Sequence, residues 1–404
     1  MKIVNKNITD IPFIKASGAH CGIKKSSKND ISLIFSEKKA VSAAAFTKNK
    51  VKAAPVYLNM EHVKNENTQA IVVNSGIANA CTGEKGLENS KEMAKYAAAK
   101  LGLKENEVLV GSTGVIGTYL PMDKIKYGID KCSSTLSKDG SDSASLGIMT
   151  TDTFIKKASV ETEISGKEVT ISGIAKGSGM IHPNMGTMFA FMFTDADISK
   201  ELLNKSIKEC VKDSFNMISV DGDTSTNDMA IVIANGAAEN KKIIKEDDSY
   251  ENFKSALSCV CKMLAKKIAQ DGEGSTKLIE TNVIHAKTDH DARILAKSVI
   301  SSNLVKAAIF GSDANWGRVL CALGYSGGDF NPNNLNITFK SSEGSINVVK
   351  NGIGLSFDEE LAKKILDCEY VKIDIDTIDG DYSATAWGCD LTYDYVKING
   401  SYRS

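Results

Sequence analysis

The chain has 404 residues, 42% of them hydrophobic and 25% charged, which is the profile of a folded globular protein and excludes a disordered or fibrous one. Its 49 Lys and Arg against 50 Asp and Glu leave a net charge of −1, so no global field favours nucleic acid or anionic lipid. Only five prolines occur, and no Pro-rich, Ser-rich or single-charge segment marks a disordered linker.

In chain order, the start MKIVNKNITD carries charges where a secretory leader needs an apolar run. No apolar stretch reaches the ~18 residues of a membrane span. The reading is a cytoplasmic protein. Short apolar strands are predicted at 71–73 and 108–110, each followed by a small-residue cluster expected to be a turn with exposed N–H groups: Asn74-Ser75-Gly76 and Ser112-Thr113-Gly114-Val115-Ile116-Gly117. A helix is predicted over 90–101, where Met93, Ala97 and Leu101 share a face and Gly102 supplies the stop. Further strands are predicted at 189–193 and 229–234, and in the alternation Val371, Ile373, Ile375. Two more helices are predicted, over 201–215 and 253–268. In the second, Phe253, Ala256, Leu257, Val260, Cys261, Leu264, Ala265 and Ile268 recur at intervals that bury one stripe. Helices alternating with strands indicate a mixed α/β protein.

Most familiar chemistries leave no trace. Neither GxxxxGK[ST] nor a helix-opening GxGxxG is present, so nucleotide binding has no motif. The nine cysteines form no CxxC pair and read as reduced thiols; the five histidines include no HExxH, so no metal is expected. In the cluster Asp221, Asp223, Asp228 the glycine that a calcium loop needs is Thr226, and a structural polar loop is expected instead. GxSxG is also absent. A threonine hydroxyl can act as nucleophile when its own α-amine, titrating near ~7.7–8.0, is the base. An internal Thr gains that amine only if the preceding peptide bond breaks. Gly186-Thr187 suits this, because Gly has no side chain to block attack on its carbonyl.

The run Lys176-Gly-Ser-Gly-Met-Ile-His-Pro-Asn-Met-Gly-Thr-Met188 resembles the self-cleavage motif of the ornithine acetyltransferase (glutamate N-acetyltransferase) family. The same family's blocks are matched, in its order, by Ser112–Gly117, by 149–153 (Met-Thr-Thr-Asp-Thr), by 221–228, by Asp271-Gly-Glu-Gly274, by Asn315-Trp-Gly-Arg318 and by Asn399-Gly-Ser-Tyr-Arg-Ser404. The resemblance runs from about Lys15 to the last residue. It implies an α/β/β/α layered sandwich of the self-processing N-terminal-nucleophile type, with a smaller C-terminal α/β lobe at roughly 285–404. It also implies cleavage between Gly186 and Thr187 into an α chain, 1–186, and a β chain, 187–404, assembled as α2β2.

The implied reaction is ping-pong. Thr187 takes acetyl from N2-acetyl-L-ornithine and passes it to L-glutamate, in arginine biosynthesis; bifunctional members also use acetyl-CoA as co-substrate, and no cofactor is needed. By position, Thr113 and Gly114 match the oxyanion-stabilising pair, and Thr153, Lys176, Thr187, Glu273, Asn399 and Ser404 match substrate contacts. The sequence departs from the common pattern at Gly186, where Ala is frequent, at His182, Ala307 and Ala314, and at Ser404, where Thr is frequent. Two other readings stay open at this level: a self-cleaving amidase or aminopeptidase that passes its acyl group to water, and a metal-dependent phosphotransferase built on the Asp221 cluster.

Overall fold

The computed structural model describes residues 1–182 and 188–401. The chain divides into two compact units: Met1–Gly177 with Pro183–Asn216 and Thr224–Leu264, and Ser178–His182 with Met217–Asp223 and Ala265–Ser404.

The first unit is built on two sheets. Four strands run in the order Ile14–Ala19, Ile31–Ser36, Ala70–Ile77, Val108–Val115, and six in the order Lys2–Val4, Lys156–Ile164, Lys167–Lys176, Phe189–Thr194, Met229–Ala234, Val41–Phe46. Period-two alternation sends Ile71, Val73 and Leu109 of the smaller sheet toward Ile174, Phe189, Phe191, Phe193, Ile231 and Ile233 of the larger, and these side chains form one buried cluster. The intervening Val72 and Val110 point the other way, into a second cluster with Met93, Ala94 and Ala97 of the helix Gly83–Leu101 and with Ile125 and Ile129 of the helix Met122–Ser134. On the outer side of the larger sheet, the helix Lys200–Lys212 packs against Val41–Phe46 and Met229–Ala234. Leu264 of the helix Asp248–Gln270 comes against Gly173 of the strand Lys167–Lys176. Helix, sheet, sheet and helix thus follow one another, the α/β/β/α sandwich expected.

The second unit holds a seven-stranded sheet: Ile218–Ser219, Tyr382–Cys389, Leu278–Ala286, Tyr370–Asp376, Asn336–Ser341, Gly344–Lys350, Ile353–Gly354. Val371, Ile373 and Ile375 are fully buried on one of its faces, as their alternation predicts. The helix Asp289–Ser301 packs against the strands Leu278–Ala286 and Tyr382–Cys389. The lobe expected over 285–404 lies within this unit. No described helix is long and apolar enough to cross a membrane.

Two local expectations need correction. The cluster 74–76 and residues 112–115 of the cluster 112–117 are not turns: they belong to strands, Ala70–Ile77 and Val108–Val115, that pair in parallel with Ser75 opposite Thr113 and Gly76 opposite Gly114, and only Ile116 and Gly117 make the turn expected of the second cluster. Small side chains and positive φ at Gly76 and Gly114 let the ladder continue to an irregularity at Ile77, where an apolar-run criterion ends the strands too early. Likewise the helix predicted from residue 90 starts at Gly83, because the polar first turns carry no apolar stripe to read.

Candidate active site

In the first unit, the ends of the parallel pair Ala70–Ile77 and Val108–Val115 make the most constrained backbone of the site. Gly114 has φ +131°, and a Cβ there would lie 2.3 Å from the carbonyl carbon of Gly76 and 2.5 Å from its oxygen. Only glycine permits that approach. The strand end is fixed from beneath by Asn227, which is buried and donates from Nδ2 to the carbonyl oxygens of Ser112 and Ala78, both at 2.6 Å. Ser112 in turn donates to Asn74 Oδ1 at 2.7 Å, and Asn74 Nδ2 to the Ile77 carbonyl at 2.9 Å. A hydroxyl and a backbone N–H held this rigidly can meet a developing oxyanion with little reorganisation.

Lys176 ends the strand Lys167–Lys176 and is 8% exposed. Its Nζ donates to Thr113 Oγ1 at 3.3 Å, so the structure brings together the predicted oxyanion residue and the predicted carboxylate-binding lysine. Sequence reasoning missed the carboxylate that holds this region. Asp152 is buried; its Oδ1 accepts from Lys156 Nζ at 2.7 Å and from the Gly177 N–H at 2.6 Å, and its Oδ2 from the Thr150 N–H at 2.9 Å. Burial pushes its carboxyl up, but Lys176, Lys156 and these hydrogen bonds outweigh that and hold it at about 2. Thr153 follows it directly and is exposed. The only sequence signal for Asp152 was its place in the block 149–153. Lys24, donating to the carbonyls of Asn29 and Met149 at 2.7 Å, is lowered to about 8, by burial first and despite Asp30, with Lys176 adding repulsion.

In the second unit, Glu273 and Asn399 meet: Asn399 Nδ2 donates to Glu273 Oε2 at 2.8 Å. Glu273 sits on the loop after the helix Asp248–Gln270, where its N–H donates to the Ser178 carbonyl at 3.0 Å, and the Ser178 hydroxyl donates to the Asp271 carbonyl at 2.6 Å. The Glu273 carboxyl packs so close to Gly179 that a Cβ there would lie 2.2 Å from Oε2, which explains the second glycine of Gly177-Ser178-Gly179. Asn399 lies on the helix Tyr393–Gly400, capped by Thr392, whose hydroxyl donates to the Gly274 carbonyl at 2.6 Å. Residues 393–400 are therefore helical and tied to this loop through Asn399 and Thr392.

Asp221 closes the arrangement. Its Oδ2 accepts from the Met180 N–H at 2.6 Å and the Tyr395 hydroxyl at 3.3 Å, and its Oδ1 from the N–H groups of Ile181 at 2.9 Å and Asp223 at 3.2 Å. This is a loop-capping carboxylate tying residues 180–181 to the C-terminal helix, as the structural reading of the cluster expected. Tyr395 is pushed up by burial and by the negative charges of Asp221, Glu273 and Asp223. His182 Nδ1 lies 3.0 Å from Ser219 Oγ, and burial, with Lys297 nearby, lowers it to about 4. Gly186, Thr187 and Ser404 lie outside the described residues.

The ArgJ family model matches residues 15–404. Arginine biosynthesis bifunctional protein ArgJ 1 of Clostridium acetobutylicum is 57% identical over 400 residues, 99% of this chain and 98% of its own. Among solved structures, the arginine biosynthesis bifunctional protein ArgJ of Bacillus halodurans is 45% identical, with TM-score 0.49, over 52% of this chain and 97% of that one. An ornithine acetyltransferase of Mycobacterium tuberculosis, complexed with ornithine, is 34% identical, with TM-score 0.42, over 45% and 98%. On the family match and the near-complete span of the Clostridium relative, the chain belongs to the ArgJ family and is an acyltransferase of arginine biosynthesis.

Proposed function

We propose that the chain severs itself between Gly186 and Thr187 and that the freed Thr187 carries acetyl from N2-acetyl-L-ornithine to L-glutamate. In the first half-reaction the Thr187 hydroxyl attacks the acetyl carbonyl, and its proton passes by way of the Thr187 α-amine to the departing ornithine nitrogen. In the second, the glutamate amine attacks the acetyl ester, and Thr187 recovers its proton as the ester bond breaks. A covalent carrier replaces one encounter of two amino acids with two acyl transfers at one place. Each passes through an oxyanion, for which the Gly114 N–H and the Thr113 hydroxyl are the donors.

The single observation that carries this reading is the 3.3 Å contact between Lys176 Nζ and Thr113 Oγ1. It sets a buried ammonium beside the oxyanion donors, where the α-carboxylate shared by acetylornithine and glutamate can meet it. Thr153 contributes a further polar contact to the substrate. Glu273, with Asn399 fixed on it, takes the ornithine side-chain ammonium, and Ser404 completes the substrate contacts from the tail. The fragments 1–186 and 187–404 stay associated, two of each. Because the Clostridium relative is designated bifunctional, acetyl-CoA is included as a second acetyl donor.

The test is a denaturing gel of the purified protein with N-terminal sequencing of its bands. By residue share of 43.3 kDa, pieces of about 20 and 23 kDa are expected, the larger starting Thr-Met-Phe. Thr187→Ala stays whole and transfers no acetyl. A single intact band from a preparation that turns over would reject the reading.

A further inference from the structure

Residues 178–182 belong to the second unit, although self-cleavage after Gly186 would leave them on the fragment 1–186. Ile181 is fully buried, and its carbonyl accepts from the Val220 N–H at 2.6 Å. Val220 follows Ile218–Ser219, the edge strand of the seven-stranded sheet, so Ile181 satisfies backbone just past that edge. The Val220 carbonyl in turn accepts from the buried Lys306 ammonium. Asp221 holds the same segment through the N–H groups of Met180 and Ile181, and its other acceptor positions are taken by the Asp223 N–H and the Tyr395 hydroxyl. Ser178 bonds the next loop in both directions: its hydroxyl donates to the Asp271 carbonyl, and its carbonyl accepts from the Glu273 N–H. On the segment's side, none of these bonds uses a residue between His182 and the scissile bond, so cleavage there removes none of them.

We propose that after self-cleavage Ser178–His182 remains as a strap of the fragment 1–186 seated in the lobe of the fragment 187–404, anchored by Asp221, and that this seat fixes Glu273 for the ornithine side chain. A newly made chain end ordinarily frays. Here backbone N–H groups meet a carboxylate in charge-assisted hydrogen bonds, and the strap can leave only by carrying a buried isoleucine into water. Glu273 depends on the strap directly, because its N–H is bonded to Ser178 and its carboxyl lies against Gly179. The same loop packs on the helix Tyr393–Gly400 at Gly274, where a Cβ would lie 2.7 Å from the Tyr395 nitrogen. Strap and helix thus both hold the Glu273 loop, and Asp221 is bonded to both. Asp221 is a positioning residue, acting through the strap. The inference rests on cleavage between Gly186 and Thr187 and on Glu273 meeting the ornithine ammonium.

The test is hydrogen exchange read by mass spectrometry on the wild type, Asp221→Asn and Tyr395→Phe, each first weighed intact to establish that it is cleaved. In the cleaved wild type the peptide covering 178–182 should exchange as slowly as the one covering 217–221, although it lies near a chain end. Asp221→Asn leaves the N–H of Met180 or of Ile181 facing an NH2 group, whichever oxygen is replaced, and the 178–182 peptide should exchange at least ~10-fold faster. Tyr395→Phe removes only the bond to the helix and should leave the strap protected. In a ping-pong reaction kcat/KM for each substrate reports its own half-reaction. Asp221→Asn should therefore lower kcat/KM for acetylornithine ~10-fold and change that for glutamate, which has no side-chain ammonium, less than ~3-fold. A general loss of structure would lower both alike. A cleaved, active wild type whose 178–182 peptide exchanges like a free end would overturn the proposal, and so would equal losses of kcat/KM for the two substrates. If Asp221→Asn does not fold or cleave, the wild-type exchange alone decides. An uncleaved wild type would overturn the self-cleavage reading and the strap with it, and the weighing tells that failure from failure of the strap alone.

Discussion

Gly114→Ala puts the strand end proposed to meet the oxyanion under direct strain. The new Cβ would meet the carbonyl carbon, the carbonyl oxygen and the following nitrogen across the ladder at 2.3, 2.5 and 2.6 Å, whereas ordinary contact begins at 3.4 Å. All three atoms are backbone, so no side chain can swing aside, and the strand end must move by about 1 Å. An oxyanion donor works within a narrow range of distances; a ~1 Å misplacement costs ~100-fold in rate, and outright loss of a donor ~100- to 1,000-fold. The positive φ adds ~1–2 kcal/mol of backbone strain to the cost of overpacking. The control is Gly102→Ala at the end of the helix Gly83–Leu101, where φ is +69° and a Cβ would meet nothing within 4 Å. That variant should lose ~1 kcal/mol of stability and keep its kcat. The assay is formation of N-acetylglutamate from acetylornithine and glutamate at saturating substrate, alongside thermal unfolding. A folded Gly114→Ala enzyme whose kcat is within ~3-fold of wild type would refute the assignment of this strand end to the oxyanion, since loss of a true donor costs far more.

Lys176→Met should raise the KM for acetylornithine and for glutamate together by ~10- to 100-fold, the worth of a charge-assisted hydrogen bond, with a smaller effect on kcat; steady-state kinetics with each substrate varied in turn would show it. His182 makes stability depend on pH. The unfolded imidazole takes its proton near 6.5, while the folded one, held down by burial and Lys297, takes it only near about 4. Between those values the unfolded chain binds the extra proton, so this contribution to stability is complete above about 6.5 and is lost as the pH falls toward about 4. In His182→Gln, Tm measured from pH 7 to pH 4 should fall less steeply than in the wild type; identical slopes would contradict the assignment.

Apolar periodicity carried much of the fold. The stripe from Phe253 to Ile268 became the helix Asp248–Gln270, and the unbroken run Phe189–Phe193 became a strand buried on both faces in the middle of the six-stranded sheet. Small polar residues misled, because Asn74, Ser75, Ser112 and Thr113 look like turn residues and in fact continue two strands whose hydrogen bonds the eye cannot see in one dimension. The site divides in the same way. Thr113, Lys176, Glu273 and Asn399 were legible through a family resemblance, and none stood out by residue type alone. Asp152 and Asn227 escaped because what distinguishes them is burial and partners far along the chain: Asn227 serves the carbonyl of Ser112, 115 residues away. A buried carboxylate and a solvated one are written with the same letter, and only the folded surroundings separate them.

The central claim is that Thr187 carries the acetyl group, and the intact mass of the two fragments tests it most directly. The enzyme is mixed with acetylornithine alone, quenched in acid and weighed, with and without a following addition of glutamate. The fragment beginning at Thr187 should gain the mass of one acetyl group on that residue, release an equivalent of ornithine, and lose the acetyl when glutamate is added, with N-acetylglutamate appearing in its place. Turnover with both fragments unmodified, or an acetyl that departs to water at the same rate whether or not glutamate is present, would contradict the account.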